Sequence, residues 1–253
     1  MPIFLEKIKE ENFAGVEIKC EHGVIDPEKI SPKEIQNLKD VLKSLELQIS
    51  IHATFIDINI ASFYPSILKA SIERVQSCLT LADKLDAKWV TLHCGHFLPT
   101  SIATLESALK ISLNSLKEIA SKAEGLNLKI GLENKDCKIG YRNIFITPEE
   151  GLWLLKNIEK DCVGFIFDCG HANTCKNKND LGDFYKKIEE KVTAIHAHDN
   201  DGSFDQHLAV GEGTINFEQI LKIKIPENIV IECDEEKEII ASKDAITKLV
   251  NLL

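Results

Sequence analysis

The chain reads as an α/β protein of the (β/α)8 TIM-barrel class, with its first strand short or missing. Two observations predict this class. Short apolar, β-branched segments alternate with longer stretches of 3.6-residue apolar period along the whole chain, with no linker or low-complexity segment between them. The second observation is chemical. Six consecutive strand segments end in His, Asp or Glu, and barrels of this class bring their strand ends together on one face.

The elements follow in order. Residues 5–12 have a helical pattern with almost nothing before them. Either Pro2, Ile3 and Phe4 form a vestigial first strand, or the barrel is open there. Residues 15–20 are the first clear strand. Ser31, Pro32 and Glu34 then make a capping box that opens a helix. A strand at 47–52, a helix at 66–85, a strand at 89–93 and a helix at 103–124 come next. After the strand at 128–133, Thr147, Pro148 and Glu150 open another helix by the same capping logic. Strand 163–168, a helix near 180–190 and strand 192–196 follow. Asn216 caps a short helix, residues 229–232 are the last strand, and a helix over 241–252 ends the chain. That makes seven strands, apolar enough to be covered on both faces. A doubly wound open sheet is the alternative. It is disfavoured because no Gly-rich phosphate loop follows the first strand.

A length of 253 residues suits one such domain spanning 1–253. No apolar run approaches the roughly 20 residues that span a bilayer, so no membrane is expected. The N-terminus lacks a signal-peptide apolar core, which points to the cytoplasm. Eight cysteines without a CxxC pair then read as reduced, mostly buried thiols. The net charge of −10 argues against a broad nucleic-acid surface, because phosphate neutralisation needs clustered cations.

The strand-end residues are His52, His93, Glu133, Asp168, His196 and Glu232. Any one of them is unremarkable, but six in register are the ligand types that suit zinc, manganese or iron. His171 follows Asp168 by three residues, and Asp205 and His207 follow His196 in a polar loop that closes with Gly211 and Gly213. Cys94, Cys169 and Cys233 each come one residue after a strand-end ligand, so alternation points them away from the site. His198, Asp199 and Asp201 read as loop support and turn chemistry.

At this point the chain resembles the xylose-isomerase-like barrels, a superfamily that includes endonuclease IV and the sugar epimerases. The resemblance runs from Gly15 onward. It rests on Ser50-Ile-His52-Ala-Thr-Phe55, Thr91-Leu-His93-Cys-Gly95, Leu132-Glu133-Asn134, Phe167-Asp168-Cys-Gly-His171-Ala-Asn173, His196-Ala-His198-Asp199-Asn200 and Asp205-Gln-His207. As in the sugar isomerases and epimerases, it implies one divalent ion, zinc or manganese, on Glu133, Asp168, His196 and Glu232. Glu133 and Glu232 would then be catalytic, moving the proton at carbon. As in the endonuclease, it implies up to three zinc ions on nine ligands. His52, His93 and Glu133 would hold one, and Glu133 would bridge to a second on Asp168, His196 and Glu232. His171, Asp205 and His207 would hold the third.

Two enzyme readings therefore stand: a metal-dependent sugar or sugar-phosphate isomerase or epimerase, and an AP endonuclease acting on DNA. A non-catalytic metal-binding protein is a third. The acidic balance and the lack of a Lys/Arg stretch among the ligands favour the first. The complete ligand set favours the second, since one ion does not require His52, His93 or His207. Lys135 and Arg142 are the cations placed to meet a substrate phosphate. An unpaired edge at the missing strand predicts a homodimer or a covering segment there.

Overall fold

The computed structural model describes residues 2–137, 140–175 and 180–253. Helix α1 (Pro2–Glu10) comes first, followed by β1 (Gly15–Lys19), α2 (Pro32–Ser44), β2 (Gln48–His52), α3 (Pro65–Lys84) and β3 (Trp89–His93). The short β4 (His96–Phe97), α4 (Leu105–Gly125), β5 (Lys129–Glu133) and the short β6 (Arg142–Asn143) come next. Then follow α5 (Pro148–Ile158), β7 (Val163–Asp168), α6 (Cys169–Thr174) and α7 (Leu181–Ile188). Strand β8 (Val192–Ala197), α8 (Phe217–Ile223), β9 (Ile229–Ile231) and α9 (Glu236–Leu252) complete the chain. No helix among the described residues is long and apolar enough to cross a membrane.

Seven parallel strands run in the order β1-β2-β3-β5-β7-β8-β9, and β4 pairs with β6 antiparallel. These seven are the strands expected from the sequence. The sheet curls into a nearly closed barrel. Glu17 of β1 touches Ser50 of β2 and Trp89 and Thr91 of β3, and faces His196 of β8. Only the inner surface of a curled sheet brings those side chains together. Strand alternation continues the division on β7. Ile166 packs inward with Trp89 and Ala194, while Phe165 and Phe167 meet Phe145, Phe184 and Tyr185 outside.

The barrel is open at one seam. Among the described residues, β9 and β1 do not pair. Of the two expectations for residues 2–4, a vestigial first strand is corrected, since they form the first turn of α1. Pro2 suits that turn because the missing N–H would have no helical partner there. Helices α1 and α9 flank the seam and are tied together by Lys7–Glu236 (3.0 Å) and by Lys243 Nζ donating to the Glu11 carbonyl (2.7 Å). A cavity of about 580 Å³ lies along it, reaching from Ile8 and Ile239 to Glu17 and Glu232.

The caps on Ser31, Thr147 and Asn216 form as predicted. Helix α9 starts five residues before the expected 241, because its N-cap, Glu235, makes no side-chain cap bond and so leaves no signal in the sequence. Helix α6 was not expected. It follows directly from β7, with Asp168 Oδ1 accepting from the His171 N–H at 2.6 Å. The cysteine expectation is corrected in one place: Cys137 and Cys175 are joined in a disulfide, and the other six are free. Their separation of 38 residues offered no motif to read. Cys94 and Cys169 are fully buried in the core, and Cys233 is partly buried.

Candidate metal centre

Every barrel strand after β1 contributes its ligand by the same local rule. Inward positions recur every second residue, so the last inward side chain of each strand sits at the barrel mouth. The parallel register sets His93 beside Glu133 and Asp168 beside His196. Their loops are clamped from outside the ligand set. Asn134 donates to the Asp168 carbonyl (2.9 Å) and accepts from the Asp168 N–H (2.8 Å), locking β5 to β7. Asp199 is fully buried and accepts from Asn200, Gly211 and Ile215, which fixes the loop that carries Asp205 and His207.

The side chains converge on shared points. His52 Nε2 lies 3.3 Å and His93 Nε2 2.6 Å from Glu133 Oε2. His196 Nδ1 lies 3.1 Å from Glu232 Oε1, 3.6 Å from Glu133 Oε1 and 4.0 Å from Asp168 Oδ2. His171 Nε2 and His207 Nε2 stand 3.2 and 3.3 Å from Asp205 Oδ2. Among the described residues, five overlapping trios have donor atoms within 4.8 Å of one another. They are His52–His93–Glu133, Glu133–Asp168–His196, Glu17–His196–Glu232, Asp168–His171–His198 and His198–Asp205–His207.

These groups fit divalent cations, and the fit rests on their hydrogen bonding. Buried polar atoms are almost always partnered. Yet His93 Nε2, Glu133 Oε2 and both His196 nitrogens are buried without a hydrogen bond, although opposing atoms are close. Their donor atoms cluster within 4.8 Å of one another in overlapping groups, the spacing of ligands that share an ion. The other rings are already oriented. Nδ1 of His52, His171 and His207 lies 2.9, 3.0 and 2.7 Å from the carbonyls of Ala53, Asn134 and Glu232. With Nδ1–H donating, each Nε2 lone pair is left for a ligand role.

The sequence profile of the xylose isomerase-like TIM barrel family matches residues 5–248. The chain belongs to that family. An uncharacterised Methanocaldococcus jannaschii protein is 36% identical over 219 residues, covering 86% of this chain and 72% of the relative. The crystal structure of a D-tagatose 3-epimerase-like protein has a TM-score of 0.88 at 33% identity, covering 98% of this chain and 92% of that one. A probable endonuclease 4 of Sulfurihydrogenibium is 27% identical over 181 residues, covering 66% of this chain and 63% of that protein. Both enzyme types named in the resemblance are thus present among this family member's relatives.

All nine expected ligands of this xylose isomerase-like barrel come together at the mouth, and two further residues join them. Glu17 is the first. Its Oε2 accepts from Ser50 (2.8 Å), Trp89 (3.1 Å) and Thr91 (3.0 Å), and its Oε1 faces His196 Nε2 at 3.1 Å. It lies in mid-strand rather than at a tip, but a carboxylate flanked by Val16 and Ile18 was a visible signal. His198 is the second, fully buried beside Asp168. Lys135 does reach the site, with Nζ 2.9 Å from His171 Nε2. Arg142 does not serve there, because its guanidinium is paired with Glu150. Phe55 lines the mouth against His52 and His93.

The charges reinforce one another. Burial alone would lower the His196 pKa, but the Glu232 and Glu17 carboxylates outweigh it and hold it well above the usual imidazole range. Burial opposes protonation of His171 as well, and Asp168 and Asp205 outweigh it. His207 is pushed up to about 9 because Asp205 overcomes its burial. Burial works against ionising Glu133 and Glu232 too. Lys135 and His93 hold Glu133, and His196 and Lys19 hold Glu232, well below the usual carboxylate range. His93 goes the other way, down to about 3, through burial and the nearby Lys135.

Proposed function

We propose that the chain is a divalent-metal-dependent sugar or sugar-phosphate epimerase or isomerase. One ion would be held by Glu133, Asp168, His196 and Glu232. The observation that carries this reading is the pair of glutamates on His196 Nδ1, Glu133 buried and Glu232 partly buried, both kept as carboxylates. The full-length likeness to a D-tagatose 3-epimerase-like protein supports it. When bound, a divalent ion would polarise a substrate carbonyl and its neighbouring hydroxyl. Glu133 and Glu232 stand ready as bases. One removes the proton from carbon, the other passes a substrate hydroxyl proton to the opposite face of that carbon, and the first then gives its proton back to the hydroxyl oxygen. Lys135 is the cation available to a substrate oxygen or phosphate.

The test is deuterium exchange from D2O into a panel of ketopentoses and ketohexoses, free and phosphorylated, with zinc or manganese present. Exchange at the epimerised carbon is expected, and Glu133→Gln and Glu232→Gln should each slow it by about 10²–10⁴-fold. No exchange from any sugar by metal-loaded protein, or wild-type rates in both variants, would refute the reading.

An AP endonuclease is the second reading. The His52–His93–Glu133 trio favours it, because a one-ion epimerase has no need of those two histidines. Nicking of a duplex with an abasic site by the zinc-loaded protein decides between the two.

A further inference from the structure

We propose that Lys19 is a catalytic residue, whose ammonium holds the negative charge that develops on a substrate oxygen beside Glu232. The inference rests on the epimerase or isomerase reading above and adds a residue outside its ligand set. Lys19 is the tip of β1, and the parallel register sets it beside His52, the tip of β2. It points to the same side of the strand as Glu17, two residues back, which faces His196 inside the barrel. Seven strand ends therefore ring the mouth. Six offer donors for a cation, and the seventh offers an ammonium. An ammonium has no lone pair for a metal and repels one at close range, so its place in the ring calls for an anion.

The carboxylates of the protein do not use this charge up. Glu17 is already engaged by Ser50, Trp89, Thr91 and His196. Glu232 Oε2 stands 3.6 Å from Lys19 Nζ, which is longer than an ordinary hydrogen bond. The lysine side chain is 42% exposed and lines the seam cavity together with Glu17 and Glu232, so it has donors turned to open space. Partial burial opposes its charge, but Glu232 and Glu133 outweigh it and keep the ammonium protonated. Glu232 divides its own oxygens. Oε1 lies 3.1 Å from His196 Nδ1, on the side of the ion, and Oε2 is left for the proton. A substrate hydroxyl that gives its proton to Oε2 comes within reach of Lys19 Nζ, which donates a hydrogen bond to the oxygen as it becomes charged. The ammonium keeps its three protons throughout, and no covalent bond forms or breaks at it. Lys135 does not duplicate this role, since its Nζ stands at His171 Nε2.

Steady-state deuterium exchange into the ketopentose and ketohexose panel by zinc- or manganese-loaded protein tests this. Lys19→Met removes the charge and keeps the length of the side chain. It should lower kcat by about 10²–10³-fold with KM little changed, the pattern of a contact made in the transition state. Elemental analysis should find the wild-type ion count in this variant, and its Tm should stay close to that of the wild type. Lys19→Arg restores a cation and should recover much of the lost rate. A wild-type kcat in Lys19→Met overturns the inference and leaves the proposed function standing, as does a rise in KM at unchanged kcat. Loss of the bound ion or of the fold in Lys19→Met overturns it too, since Lys19 is then a structural partner of Glu232. No exchange from any sugar by the metal-loaded wild type sinks both.

Discussion

His196 shows how much of this site is decided by single side chains. Its two ring nitrogens face carboxylates on opposite sides, Glu17 at Nε2 and Glu232 at Nδ1, each 3.1 Å away. Glu17 Oε2 is held by three donors, so its other oxygen has little freedom to turn away. Outer partners of this kind set ring orientation and raise ligand basicity. Glu17→Gln should therefore leave the fold intact and weaken zinc binding by about 10–100-fold. A competition titration against a chromogenic chelator measures this, and wild-type affinity would count against the role. Lys19, 3.6 Å from Glu232 Oε2, supports the same carboxylate from β1.

At the scale of elements, the site depends on a loop with a buried anchor. Asp199 leaves β8 two residues after Ala197, at the strand's end, and collects three backbone N–H groups from the loop. Gly213 permits the closure, since a Cβ there would meet Asp199 Oδ1 at 2.2 Å. His207 takes a left-handed φ of 54° on the same loop, which aims its ring back at Asp205. Removing the anchor leaves those donors buried and unsatisfied. Asp199→Ala should cost about 3 kcal/mol or more, a fall of roughly 6–12 °C in Tm for a chain of this size. Thermal melts of the metal-free protein check it, and an unchanged Tm would show that the loop is held by other contacts. Helix α6 works similarly in miniature: Asp168 caps it and so brings His171 back toward Glu133.

At the scale of the whole molecule, the mouth gathers acids and imidazoles that stabilise each other only in the right charge state. The folded pKa values of His171, His196 and His207 lie above the unfolded imidazole value, with His207 at about 9. In metal-free protein the stability from these pairs is complete below about pH 6.5 and is lost as pH rises towards 9, because the unfolded chain gives up its protons first. Divalent ions compete with the same protons, so their stabilising effect should grow over that range. Melting curves from pH 6.5 to 9, with chelator and with zinc, should therefore slope in opposite directions. Parallel slopes would mean that the histidines do not bind the ion. The open seam between β9 and β1 leads from the outside to Glu17 and Glu232, so this charged layer borders a cavity rather than a sealed strand.

Much of this was legible in the chain. Strand alternation has a period of two residues and a capping box spans four, so both are local and survive as patterns in sequence. They sufficed for seven strands, most helices and six strand-end side chains at one mouth, while His171, Asp205 and His207 came from loop motifs and the family resemblance. The tertiary structure alone decided the rest. Glu17 joins His196 only because the sheet curls, and His198 is singled out from a polar loop only by where Gly170 lets its ring lie. Arg142 is claimed by Glu150, and Cys137 finds Cys175 across 38 residues. Each of these depends on chain segments far apart in sequence meeting at distances of a few ångströms, and no local period encodes that meeting.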